Sequence, residues 1–178
     1  MAAVVLLTAA GAQADDSWFN TRMTYTTDTQ PVFNANEFSL DLFGAYQANE
    51  RHFLAFPNTS IQHGNWGGGV GGNYFFTTML GVGADTSFIA GTPRFDDHVG
   101  GNVFFRIPIE PVHLAPYIFA GGGRAFNPGW DWYGDCGVGL EFRLNPKLGV
   151  FSDARYIWKS TSKAPDQAAI RAGIKVVF

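Results

Sequence analysis

The residues with chemistry to offer in this chain are four histidines, one cysteine and a scattered set of acids and bases. His52, His63, His98 and His113 could in principle activate a nucleophile. His52 and His63 fall in a polar loop, His98 near a strand start and His113 at the beginning of another strand, so they read as surface or interface residues. Asp96-Asp97-His98 offers cation ligands, but three adjacent polar residues in a loop make a weak metal signal. Gly121-Gly122-Gly123-Arg124 lacks the Lys-Ser/Thr and the following helix of a phosphate loop. Cys136 is alone, which leaves neither a disulfide framework nor a cysteine-based metal cluster. No catalytic, metal or cofactor residue is expected. What remains is a set of four acids and five bases: Asp41, Asp85, Arg106, Glu141, Arg143, Asp153, Arg155, Arg171 and Lys175. They share no motif; they share a strand parity.

That parity is clearest in Ala168 to Phe178. Ala168, Ile170, Ala172, Ile174, Val176 and Phe178 alternate with Arg171, Gly173 and Lys175, the two-residue period of a strand with one apolar and one polar face. Phe38 to Tyr46, Trp66 to Phe76, Leu80 to Phe88, Val99 to Ile107, Trp130 to Arg143 and Leu148 to Trp158 follow the same scheme. His113 to Gly123 is strand-like but apolar on both parities, so its facing stays open. Eight strands of roughly ten residues result, the length a tilted strand needs to cross a bilayer. Connections alternate between short (77–78, 108–112, 145–147) and longer (47–64, 91–96, 124–129, 159–166), as in barrels with tight periplasmic turns and long outer loops.

Composition sets the class. The chain has 178 residues, enough for one domain or a small closed barrel. Charged residues are 15%, and a net charge of −3 without a basic run argues against a nucleic-acid partner. Gly numbers 22 and aromatics make up 16%, a composition suited to tightly packed strands with interfacial rings.

Facing is decided by where the charges lie. Outside the ambiguous fifth strand, the apolar parity carries no charge in the strand interiors. In a soluble eight-stranded barrel of lipocalin type the large apolar groups would point inward, into a lumen just wide enough for side chains. Facing lipid, they need no such space. Gly67, Gly69, Gly71, Gly81, Gly83, Gly137 and Gly139 share the charged parity, as a narrow lumen requires. Tyr46, Trp66, Phe88, Trp130, Trp132, Tyr156 and Trp158 lie at the strand ends nearest the long loops. Phe38, Phe76, Phe105, Phe142 and Phe178 lie at the other ends. Two such bands read as aromatic girdles at the membrane interfaces.

The N-terminal residues 1–14 read as a signal peptide, with an apolar core from Ala3 to Ala10 and Ala12-Gln13-Ala14 as cleavage pattern, although a positively charged start is missing. Residues 15–36 read as an extension without a clear pattern, and 37–178 as the barrel. No other stretch approaches the roughly 20 apolar residues of a spanning helix.

The strands WGGGVGGNYFF and LGVGADTSF, the stretches APYIFAGGG and GVFSDARYIW, and Phe178 at the end of the last strand together resemble the small OmpA/OmpX-type, opacity-like outer-membrane β-barrels. The resemblance covers about residues 37–178 and implies an all-β, eight-stranded antiparallel up-and-down transmembrane barrel in the bacterial outer membrane. It also implies assembly by the barrel-assembly machinery, which reads the terminal strand, here Ile174, Val176 and Phe178. The peptidoglycan-binding domain of full-length OmpA is not expected here. Lipid A-modifying barrels are the enzymatic alternative. Where the deacylase-like family carries R-Y-x-H-x-S, this chain reads Arg155-Tyr156-Ile157-Trp158-Lys159-Ser160, with Trp158 in the place of the base.

The nearly balanced inward charges predict a paired network, with Asp41, Glu141 and Asp153 as candidates to meet Arg106, Arg143, Arg155 and Arg171. The function expected is therefore non-enzymatic: a charge-plugged barrel whose outer loops, chiefly Gln47 to Gly64, meet a surface partner. A small low-conductance pore is the next alternative. Outer-membrane lipid and lipopolysaccharide are the expected surroundings.

Overall fold

The computed structural model describes residues 31–49, 64–90, 96–126, 130–160 and 166–178. They form eight strands: β1 (Glu37–Asn49), β2 (Asn65–Phe75), β3 (Leu80–Ile89), β4 (Asp96–Arg106), β5 (Leu114–Ala125), β6 (Asp131–Asn145), β7 (Leu148–Lys159) and β8 (Gln167–Val177). Each pairs antiparallel with its neighbours in sequence, and β1 closes onto β8, so no sheet edge is left open. No helix among the described residues is long and apolar enough to cross a membrane.

Alternation becomes a sidedness once the sheet closes. Leu42, Val103 and Val138 are 57%, 58% and 59% exposed on the outer wall, while Arg106 and Arg143 are 0% exposed inside. In water such an uncovered apolar belt would cost about 1.5–3 kcal/mol per large side chain, and continuous patches of this kind mark membrane contact. The fold is inside-out relative to a soluble protein.

The short connections are set by local hydrogen bonds. Thr77 Oγ1 accepts from the backbone N–H of Met79 at 3.2 Å and of Leu80 at 2.8 Å, folding the β2–β3 turn. Asn145 Oδ1 accepts from the N–H of Lys147 at 2.8 Å between β6 and β7. Register in that pair shifts between Arg143 and Asn145, a bulge at the turn. Between β4 and β5 a 3-10 turn, Glu110–Val112, ends on His113 in the left-handed region (φ 54°).

Several boundaries differ from the sequence reading. β4 begins at Asp96 and β5 continues to Ala125, so Asp96, Arg124 and Ala125 belong to strands rather than loops. The fifth strand's facing is now fixed: Ala115, Tyr117 and Phe119 are buried inside, while Ile118 is exposed outside. Local periodicity could not decide this, because both parities are apolar and only pairing with β4 and β6 sets the rotation. Residues 1–14 and the histidines at 52 and 63 lie outside the described residues, as do 50–63 of the longest loop.

Candidate functional site

The nine charges selected by parity all sit inside the barrel, in two clusters. The first fills the end nearest the short turns. Glu141 reaches across from β6 to Lys175 of β8 at 2.9 Å, and its other oxygen accepts from Arg143 Nε. Arg143 Nη2 also donates to Glu37, which pairs with Arg106 at 3.0 Å. Arg106 is held further by the carbonyl of Thr78, at 2.8 Å from its Nε. Lys175 stands 3.9 Å from Asp41, whose carboxylate accepts from Asn73 Nδ2 at 2.6 Å.

The second cluster lies nearer the long loops. Arg171 forks onto Asp153 and reaches Asp85 at 3.2 Å. Arg155 meets Asp85 with both terminal nitrogens, at 2.7 and 3.3 Å. Its Nε lies 3.1 Å from Asp135, an ion pair without hydrogen-bond geometry. Tyr117 donates to Asp153 at 2.9 Å and Asn102 to Asp85 at 3.3 Å.

Partners differ from expectation in two places. Asp41 meets Lys175 and Asn73 rather than an arginine, because Asp41 and Lys175 are directly opposed in the β1–β8 register. Arg155 goes to Asp85 and Asp135, across the lumen from β3 and beside it on β6. Glu37 and Asp135 belong to the network but not to the set chosen from sequence. Asp135 shares the inward parity, so that signal was present; Glu37 is the first strand residue, where parity has little context.

Rings complete the plug. Phe43, Phe75, Phe104, Tyr117, Phe119, Tyr133 and Phe151 are buried inside with the charges. The lumen has room because glycines lie beneath them: a Cβ on Gly139 would stand 2.4 Å from the Tyr117 ring, and one on Gly137 2.4 Å from that of Phe119. Arg106 lies over Phe75 at 3.7 Å and Arg171 over Phe43 at 4.8 Å, giving the guanidinium faces a partner their edges do not use. Between the two clusters the cavity bounded by Asp41, Tyr117, Asp153 and Arg171 measures about 20 Å³. That is space for about one water.

The short-turn mouth is closed by residues the sequence left without a pattern. Asn36 adopts a left-handed conformation (φ 58°) that turns residues 31–35 back into the barrel. Phe33 is fully buried beneath the guanidiniums of Arg106 and Arg143, each 5.1 Å from its ring. Glu110 accepts from the backbone N–H of Val32 at 3.0 Å and of Phe33 at 3.3 Å, pinning the segment to the β4–β5 connection.

This architecture is shared with solved structures. The chain superposes on the N-terminal β-barrel domain of Pseudomonas aeruginosa OprF with a TM-score of 0.60 at 15% identity, covering 82% of this chain and 99% of that one. Its fold is that of the small outer-membrane β-barrels. Neisserial surface protein A (NspA) matches with a TM-score of 0.56 at 13% identity, over 80% of this chain and 96% of NspA. A de novo designed transmembrane β-barrel matches at 0.53 and 16% identity, over 81% and 97% of the two chains. A designed barrel fits as well as natural ones, so the likeness reports architecture rather than activity. No protein-family model and no curated protein matches the sequence.

Outside the lumen of this outer-membrane-type barrel, the aromatic residues gather at both rims. Tyr46 and Trp66 stack at 5.0 Å, Tyr156 and Trp158 at 6.4 Å, and Trp130 and Trp132 project from the start of β6, all at the long-loop end. Ile174, Val176 and Phe178 are exposed on the outer wall, and the Phe178 N–H donates to the Phe38 carbonyl at 2.9 Å, completing closure. His98 is not a surface residue: it is buried inside against Tyr133, with ring centroids 5.3 Å apart. Its even position on β4 puts it on the lumen side, a consequence of the strand starting at Asp96. No trio of His, Cys, Asp or Glu among the described residues is placed to hold a metal.

Proposed function

We propose that this protein is a non-enzymatic barrel of the bacterial outer membrane, a rigid mount that presents its long loops at the cell surface. The observation that carries the reading is the filled lumen: two ion-pair clusters and stacked rings leave a cavity of about 20 Å³ between them. A conducting pore needs a continuous aqueous path, and breaking a buried ion pair to make one costs about 3–5 kcal/mol. With the interior committed to structure, contact with other molecules falls to the outer wall and the loops.

The short turns face the periplasm in this reading, and the connection spanning 50–63 faces outward as the chief contact surface for an extracellular partner. NspA is named as a surface protein, which agrees with that placement. Lipid and lipopolysaccharide surround the wall, and the barrel-assembly machinery reads Ile174, Val176 and Phe178. A lipid A-modifying activity has less support. Trp158 stands where a base is needed before Ser160, and His113 lies at the opposite end of the barrel from that serine.

Two measurements test this together. Purified protein in planar bilayers should give no steady single-channel current; large stable openings would contradict the closed lumen. Proteinase K added to intact cells should cut within 50–63, and resistance there with cleavage at the short turns would reverse the orientation.

A further inference from the structure

Arg124 is a charge on the greasy side. Its register partners are Val99 on β4 and Trp132 on β6, both exposed on the outer wall. Its guanidinium carbon lies 4.4 Å from the Trp130 ring and 5.4 Å from the Trp132 ring. No carboxylate among the described residues pairs with it, and its Nε is enclosed without a hydrogen-bond partner. The two indoles occupy its faces and leave its donor edge unmatched.

An outward arginine is tolerable only near an interface, where its cost falls to about 0–1 kcal/mol against about 2–4 at the bilayer midplane. Arg124 is at that depth, beside the aromatic band of the long-loop rim. A guanidinium held rigid by two indoles has lost the rotamer freedom that an exposed arginine would pay to order on binding. Its planar fork matches a phosphate group bidentately, and such charge-assisted pairs are roughly twice as strong as neutral hydrogen bonds.

We propose that Arg124, clamped by Trp130 and Trp132, is a binding site for the phosphate of an anionic lipid headgroup in the outer leaflet. Acyl chains of the same lipid would lie along the apolar wall below, past Val99 and Ile118. The site rests on the membrane reading given above, since in a soluble barrel no headgroup would be presented at this height.

The test uses the folded full chain in phosphatidylcholine micelles, with heat-modifiable gel migration and detergent partition recorded first for every variant. Bis-phosphorylated lipid A is then titrated, with tryptophan emission and native mass spectrometry reading occupancy. The wild type should bind saturably. R124Q should weaken binding about ten-fold or more, the effect of losing a charge-assisted pair, while R124K should restore part of it. Lipid A stripped of its phosphates should bind no better to the wild type than to R124Q, and inorganic phosphate alone should not saturate the site. Equal affinity for R124Q and wild type overturns the proposal, as does undiminished binding of the phosphate-free lipid or saturation by free phosphate. A wild type that partitions into detergent yet binds no lipid A also overturns it, while leaving the membrane reading in place.

Discussion

Arg171 and Asp153 face each other across the β7–β8 pairing and meet through two hydrogen bonds of 2.8 Å, Nε to Oδ1 and Nη2 to Oδ2. Such a fork satisfies both charges only while both are present. R171M should lower stability by about 3–5 kcal/mol, because it leaves Asp153 buried with Tyr117 as its remaining partner. The double variant R171M/D153L should regain most of that loss. Urea unfolding in lipid vesicles measures both; a double variant no more stable than the single one would show that the pair carries no coupling.

The segment closing the short-turn mouth depends on one carboxylate. Glu110 is the acceptor for the amides of both Val32 and Phe33. E110A should raise hydrogen exchange at those two amides by about ten-fold or more, the equivalent of a lost charge-assisted hydrogen bond. Exchange in β1 to β8 should stay unchanged. Acceleration spread evenly through the strands would mean that the segment and the wall open as one unit.

Glycines divide by the face they occupy. A Cβ on Gly139 would meet the Tyr117 ring at 2.4 Å, whereas on Gly101 its nearest neighbour is the Gly83 carbonyl at 3.7 Å. G139A should therefore cost about 1–3 kcal/mol by overpacking, and G101A should stay within about 0.5 kcal/mol of wild type. Unfolding midpoints of the two variants give the comparison, and equal midpoints would deny that the lumen is tightly filled.

These residues also show what the sequence could and could not reveal. Strand count, closure and the inward side of the charges were legible because a period of two converts position into facing wherever one parity is apolar. β5 defeated that logic, since Tyr117 and Phe119 on one parity and Ile118 on the other are equally apolar. Partners within the network were only partly legible. Asp153 and Arg171 are neighbours by register, but Asp85 reaches Arg155 across the lumen, from β3 to β7, a distance no strand pattern encodes. Residues 31–36 gave no signal because their order comes from Glu110 and from two arginines distant in sequence. Arg124 was hidden by a boundary: two residues of additional strand turned a loop charge into a wall charge.

Cys136 offers the most direct test of the outward-facing wall. It is the only cysteine in the chain and lies on the outer face of β6, opposite Ala120 and Tyr156, with no protein covering it. Because the fold leaves this thiol bare, only lipid can shield it. The native protein in phosphatidylcholine vesicles should react with a charged, membrane-impermeant maleimide at least about 100-fold more slowly than the urea-unfolded chain, in line with a site removed from water. Labelling of the native protein as fast as the unfolded one would place that wall in water and contradict the account.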